Sequence, residues 1–370
     1  MGLKKILHMN TGNGKTSYAN NSSFQNVVIS KTWDLVDETL RNMLENHGFS
    51  GSCMNIVDLG CASGPNALRV VSHVMDTIHD LRKTGDCSCC KPLEVRFFLN
   101  DLPDNDFNSL FKPVEDFNEE KRLVCGSIRS GCFIYGLPGS FYTRLFPTKS
   151  LHFAYSSCSL HWLSQVPRGL ESENKENMYI SIASPPEVVD AYAQQYKRDL
   201  MAFLSMRGEE MVDGGSIVLT FIGRKFQDFS SKDESGQFTM LSQTLLQMVA
   251  QGVLEKDDLY SFNVPIYMPC QQEVESIIDH QGSFKIDKIV AFLVRWDANK
   301  YADELPFDKN RSGKLVADCI RAFMEPMLVS HFGKSIDCDD IFQRYAERVG
   351  EHLAKERSSY QMLSISLSIS

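Results

Sequence analysis

The stretch Asn55-Ile56-Val57-Asp58-Leu59-Gly60-Cys61-Ala62-Ser63-Gly64-Pro65-Asn66 constrains this chain more than any other. An apolar run ends in Asp-Leu-Gly, and a turn with two glycines leads into a second apolar-periodic segment. A strand ends and a helix begins in this way in an open α/β sheet. Such sheets bind ligands just outside the carboxyl ends of their strands. Gly60 and Gly64 have no Cβ, so the backbone is expected to pass close to a bound molecule here. The spacing differs from the Gly-x-Gly-x-x-Gly of a dinucleotide loop. A helix-opening turn with no ligand is the plain alternative.

Further on, Val95-Arg96-Phe97-Phe98-Leu99 predicts a strand, and Asn100-Asp101-Leu102-Pro103 follows at its end. An acid at that position can accept hydrogen bonds from both ribose hydroxyls of a nucleoside. The gap between the two motifs is longer than in the dinucleotide fingerprint. A predicted helix over 65–83 and a loop over 84–93 fill it. Asp is also a common helix cap, so capping of the next segment is the competing role for Asp101. An Asp-x-Gly-x-x-x-Gly loop resembles the nucleoside loop of methyltransferases that use S-adenosylmethionine.

Charge and length bound the partners. The formal charge is −9 with no basic stripe, which argues against nucleic acid or an anionic membrane as main partner. No apolar run approaches the roughly 20 residues that span a bilayer. The N-terminus lacks the apolar core of a secretory signal, and Ile6 breaks the myristoylation pattern begun by Met1-Gly2. Eleven cysteines without an export signal point to a reducing compartment, hence a cytoplasmic location. Cys87-Ser88-Cys89-Cys90 lacks CxxC spacing and reads as reduced thiols in a surface loop rather than a zinc site.

Periodicity predicts helices over 31–45, from Ser184-Pro185-Pro186 to about Val212, and over 238–251, 271–279 and 313–332. Ser184 is the expected cap of the second, and Asp213-Gly214-Gly215 its expected stop. Strands are predicted over 151–156, 216–223, 284–296 and 362–368, with a flexible loop over 224–236. Strands alternating with helices argue for a parallel sheet. Helix-rich blocks between strands are expected to form a lid.

Four further motifs appear in order: Ser17-Tyr18-Ala19-Asn20-Asn21-Ser22, Asn105-Asp106-Phe107-Asn108, Gly136-Leu137-Pro138-Gly139-Ser140-Phe141-Tyr142 with Arg144-Leu145-Phe146-Pro147, and Ser156-Ser157-Cys158-Ser159-Leu160-His161-Trp162-Leu163-Ser164-Gln165-Val166-Pro167. From about Leu7 to the C-terminus the chain resembles the plant SABATH methyltransferases. The resemblance implies a Rossmann-like class I methyltransferase of the α/β class with an α-helical cap. The core sheet would occupy about 30–225, 280–300 and 358–370. The cap would take about 165–210, 238–280 and 305–355.

It also implies S-adenosylmethionine as methyl donor, with S-adenosylhomocysteine as product, and a small carboxylic acid as acceptor in a homodimer. Positions matching Tyr18, Ser22, Asp58, Cys61, Asn66, Asp101, Leu102, Ser140 and Phe141 hold the donor in the family. Those matching Gln25 and Trp162 hold the acceptor carboxylate. Asn10, Cys158, His161, Ile222, Phe238, Tyr267, Ile320 and Tyr360 match the acceptor pocket. A family metal site maps onto Asn177, Phe262 and Asn263 and admits Mg2+, but its acidic ligand falls at Tyr260.

These residue types suit carboxyl methylation. A carboxylic acid is ionised at neutral pH, so attack on a sulfonium methyl needs no general base. The Gln25 amide and Trp162 indole N–H are neutral donors that orient a carboxylate without quenching it. An Arg there would over-stabilise the ground state. Salicylate-type members resemble Tyr at Cys158, Met at His161 and Trp at Phe238. The smaller residues at Cys158 and Phe238 imply a roomier pocket on those sides, and jasmonate-type members also resemble a small residue before Ser-Leu-His-Trp. The alternative is N-methylation of a xanthine-type purine, with His161 as base. Caffeine-pathway members share His-Trp but usually carry Tyr at the position of Cys158.

Overall fold

A computed structural model describes residues 7–46, 52–84, 93–125, 131–170, 173–227, 232–299 and 306–370. The Cys87–Cys90 cluster lies outside the described residues. In chain order the helices are α1 (Tyr18–Asn21), α2 (Ser23–Lys31), α3 (Trp33–Asn46), α4 (Pro65–Thr84), α5 (Phe107–Phe111), α6 (Val114–Cys125), α7 (Pro186–Glu210), α8 (Lys232–Ala250), α9 (Lys256–Ser261), α10 (Gln271–Gln281), α11 (Lys309–Phe332) and α12 (Cys338–Lys355). The strands are β1 (Cys53–Leu59), β2 (Glu94–Asp101), β3 (Cys132–Pro138), β4 (Leu151–Ser157), β5 (Met211–Gly223), β6 (Phe284–Arg295) and β7 (Ser359–Ile369).

The sheet order is β3-β2-β1-β4-β5-β7-β6. The first five strands run parallel, as the alternation of elements predicts. The parallel sheet argued from sequence is corrected at one strand. β7 is antiparallel to both β5 and β6. The reason is where the chain leaves and re-enters: Arg295 at the end of β6 pairs with Ser359 at the start of β7. The intervening α11–α12 segment therefore begins and ends at the carboxyl end of β6, and β7 must run back down.

Period-two alternation divides the strands between two cores. Val57, Leu59, Ala154, Ile217 and Leu219 pack with α7, α10, α11 and α12. Ile56, Phe153, Tyr155 and Val218 face the other way, onto Leu35, Val36 and Leu40 of α3 and Val70, Val71 and Val74 of α4.

Three excursions gather over the carboxyl ends of the strands. One follows β4 to Pro185. Another leaves at Arg224 and returns at Cys270, where Arg224 N donates to Pro269 O at 2.9 Å. The third is α11–α12. Of the segments expected as cap, 165–210 and 238–280 each end in a helix, α7 or α10, that carries the chain back to begin the next strand.

Several local expectations change. Pro185, not Ser184, is the N-cap of α7, and Ser184 Oγ instead donates to Asn174 Oδ1 at 2.8 Å. The helix stops at Glu210 and β5 starts at once. Asp213-Gly214-Gly215 sits inside that strand, where Gly214 has φ +75° and the pairing with β4 shifts register. The predicted loop over 224–236 is shortened by α8, which begins at Lys232. Among the described residues no helix is long and apolar enough to cross a membrane.

Candidate active site

A pocket lies under the three excursions, at the carboxyl ends of β1, β2 and β4. Its lining includes Tyr18, Gln25, Asp101, Leu102, Ser140, Phe141, Cys158, His161, Trp162, Ile222, Phe238, Ile320 and Tyr360. Thirteen residues proposed from sequence therefore converge on one cavity.

One half is built on backbone. Asp101 ends β2, and its Oδ2 accepts from Ala62 N at 2.7 Å while Oδ1 accepts from Leu102 N at 2.7 Å. Ala62, in the turn that follows β1, adopts φ +53°. Each carboxylate oxygen keeps a further lone pair for a ligand. Burial pushes Asp101 up to about 6, opposed by those two N–H groups. Asp58 is more deeply buried, and desolvation with the neighbouring Asp101 pushes it up to about 8. Capping falls to Asp106, whose side chain accepts from Ser109 N at the start of α5.

The glycines answer to the protein itself. Gly60 has φ +79°, and a Cβ there would overlap the Ser159 hydroxyl. Gly64 has φ +110°, and a Cβ would come within 2.7 Å of Ala19 Cα. Gly60 lines the pocket, whereas Gly64 lets α1 close down on the turn.

Ser140, Phe141 and Tyr142 come from the loop after β3. A fully buried ion pair holds this loop: Arg207 Nε donates to Glu210 Oε2 at 2.7 Å. Arg207 also donates to Phe141 O at 2.8 Å and Thr143 O at 3.1 Å, and Glu210 accepts from Phe146 N at 3.0 Å. Sequence reading missed this pair. Its only trace is two opposite charges three apart near the end of a long helix.

The other half is built from side chains. Trp162 ends a turn after β4, its ring edge-on to Phe323 of α11 with centroids 5.5 Å apart. Its carbonyl accepts from the Tyr142 hydroxyl at 2.6 Å. Among the described residues its indole N–H has no partner. Gln25 is buried, and its amide has only the Cys319 sulfur at 3.8 Å. Burial pushes Cys158 and Cys319 up to about 12, so both are thiols. Burial also pushes His161 down to about 3, making it a neutral ring that accepts weakly from Ile222 N at 3.4 Å. Tyr18 lies between the halves: its hydroxyl is raised first by burial, then by Cys158, Cys319, Asp101 and Asp58.

Other expected residues lie outside the lining. Asn66 Nδ2 donates to Ser22 O at 3.2 Å and Ser22 Oγ at 3.1 Å, and its Oδ1 accepts from Asn26 at 2.8 Å. Ser22 and Asn66 thus lock α1 and α2 to the turn behind the wall. Cys61 packs in the core under the same turn. Asn10 joins the N-terminal segment to α11, donating to Glu325 Oε2 at 2.7 Å. Tyr267 is turned away from the cavity: its hydroxyl donates to Glu273 at 2.7 Å and its ring meets Arg224.

The expected metal positions are occupied with protein contacts. Asn177 donates to Lys175 O, Asn263 accepts from Asn174, and Phe262 packs on His331 and Phe332. Tyr260 donates to Glu176 at 3.1 Å. Among the described residues no three His, Cys, Asp or Glu side chains gather into a cation cage. Unforeseen lining residues include Tyr142, Gln237, Trp296, Cys319 and Phe323.

The family described as SAM dependent carboxyl methyltransferase matches residues 4–370. A Theobroma cacao protein named probable jasmonic acid carboxyl methyltransferase 2 is 44% identical over 380 residues, covering 99% of each chain. A benzoic acid/salicylic acid carboxyl methyltransferase 1 of Petunia hybrida is 40% identical over 367 residues, again covering 99% of each. A solved loganic acid methyltransferase with S-adenosylhomocysteine superposes with a TM-score of 0.83 at 28% identity, covering 98% of each chain.

Proposed function

We propose an acceptor and a division of labour for this chain from one premise: it belongs to the family of S-adenosylmethionine-dependent carboxyl methyltransferases. It transfers a methyl group to a carboxylate and forms a methyl ester. The acceptor, in our reading, is a small acid of jasmonate, benzoate, salicylate or anthranilate type. The observation that carries this reading is the pair Gln25 and Trp162. Both line the pocket, and neither N–H group has a nitrogen or oxygen partner among the described residues.

S-adenosylmethionine supplies the methyl as an electrophile on its sulfonium. Asp101 would take the ribose hydroxyls on its remaining lone pairs, with Ser140 and Phe141 beside the base. Gln25 and Trp162 would hold the acid so that one oxygen points at the methyl, and such positioning is worth several kcal/mol. Their neutrality leaves the carboxylate nucleophilic. Tyr142 would steady Trp162 through its carbonyl. Cys158 and Phe238 would leave room around the acid's body.

Purine N-methylation is not favoured. Its acceptor nitrogen needs a proton removed, and a ring whose pKa is pushed down to about 3 is a poor base. Transfer of labelled methyl to a panel of benzoate, salicylate, anthranilate, jasmonate and xanthines tests the reading. A methyl ester from at least one acid supports it, and label only in a xanthine overturns it. We propose a homodimer as well, which light scattering at one chain's mass would refute.

A further inference from the structure

The Trp162 indole can orient a carboxylate only if the indole itself is held at a fixed angle. Its ring meets Phe323 edge-on and His161 at a tilt, and among the described residues no hydrogen bond fixes it. Its aim therefore depends on the backbone of the turn that carries it. That turn is held from two sides. On one side, Leu163 N donates to Pro265 O at 2.7 Å and Tyr267 N donates to His161 O at 2.8 Å. On the other side stands Asp199 of α7, which is buried. Ser164 N donates to Asp199 Oδ2 at 2.8 Å, and Ser164 Oγ donates to Asp199 Oδ1 at 2.7 Å. Gln195, one helical turn earlier, donates to Asp199 Oδ1 at 2.9 Å. Its own Oε1 accepts from Gln165 at 3.1 Å and from Arg198 at 2.8 Å.

The same ridge of α7 also carries the donor loop. Asp199, Phe203 and Arg207 recur every four residues, so they lie along one side of the helix. Phe203 meets the Phe141 ring with centroids 6.1 Å apart, and Arg207 holds Phe141 O and Thr143 O. One helix thus sets the donor loop and the Trp162 turn in register. A carboxylate only accepts, so its two oxygens can take all three donors at once. Burial works against its charge and raises its pKa, opposed by Ser164 and Gln195. A neutral amide would be easier to bury, but its NH2 group would face one of these donors. We propose that Asp199 is a positioning residue: through Ser164 it fixes the angle at which the Trp162 indole meets the acceptor carboxylate. This rests on the reading of Trp162 given above and extends it to a residue outside the pocket lining.

The test is a double-mutant cycle, read as kcat and KM for whichever of benzoate, salicylate, anthranilate and jasmonate is methylated fastest. Asp199→Asn keeps the side chain's size and should lower kcat by about tenfold or more, with the acid's KM within about threefold. Affinity for S-adenosylhomocysteine, measured by calorimetry, should stay within about threefold and shows that the variant folds. Trp162→Phe keeps a ring and removes the N–H. In that background Asp199→Asn should lower kcat by less than about twofold, because no indole is left to aim. Ser164→Ala serves where Asp199→Asn does not fold. It removes one of the two Ser164 bonds and should lower kcat by about threefold in the wild type, and not in Trp162→Phe. An equal loss in both backgrounds overturns the proposal, as does an unchanged kcat in the wild-type background. Wild-type turnover in Trp162→Phe, or no ester from any of the acids, sinks the reading of Trp162 itself.

Discussion

The two halves of the pocket are made in different ways. The donor half is short-range and backbone-rich: two strand ends, a turn with Ala62 at positive φ, and a loop held by Arg207 and Glu210. The acceptor half takes side chains from α2, the turn after β4, the end of β5, α8, the segment after β6, α11 and β7. The difference separates what must stay constant from what is free to vary. A donor site at the switch point of the sheet is inseparable from the fold. An acceptor site on cap side chains can be recut one residue at a time, each change worth about 1–3 kcal/mol of discrimination.

That division makes predictions that differ in size. The largest effect should follow Trp162→Ala, which removes both the N–H and the contact with Phe323. Turnover should fall by about 100-fold or more, with affinity for S-adenosylhomocysteine nearly unchanged. An equal loss of donor binding would erase the distinction between the halves. Asp101→Ala is the reciprocal change. It should weaken S-adenosylhomocysteine by about tenfold or more and leave the acid's KM at saturating donor almost untouched. Calorimetry and steady-state kinetics on the two variants give the crossed comparison.

Gly60→Ala should harm the fold rather than either half, because φ +79° and the Ser159 hydroxyl both oppose a Cβ. A loss of about 2 kcal/mol in denaturant unfolding is expected. No loss would mean that the turn relaxes freely.

A pH-dependent effect concerns Asp58. Its folded pKa is raised to about 8 by burial and by Asp101. A raised folded pKa contributes stability present below the unfolded value near 4 and lost as pH rises through about 8. Asp58→Asn removes this titration. The melting temperature of the variant should therefore gain on that of wild type between about pH 5 and about pH 9. A gap that does not change with pH would contradict the buried placement of Asp58.

The same division explains what could be read from sequence. Strand, turn and helix at Asn55–Asn66 and the acid at Asp101 are neighbours along the chain, so local pattern suffices. The reason given for the glycines was incomplete, since the Cβ positions they lack abut Ser159 and Ala19, which are distant in sequence. Strand direction was not legible for β7, because alternation marks a strand but not its sense. Gln237 beside Phe238 looks like an ordinary polar helix position, and only the tertiary contact with Tyr360 places it in the pocket. Tyr267 matched the acceptor pocket by resemblance, yet Glu273 and Arg224 claim its hydroxyl and ring.

The most direct test is a crystal structure with S-adenosylhomocysteine and a methylatable acid bound together. The account predicts that the acid's carboxylate lies within about 2.7–3.2 Å of both Gln25 Nε2 and Trp162 Nε1, with one oxygen facing the sulfur. A carboxylate bound elsewhere, with Gln25 and Trp162 still lacking a partner, would contradict it.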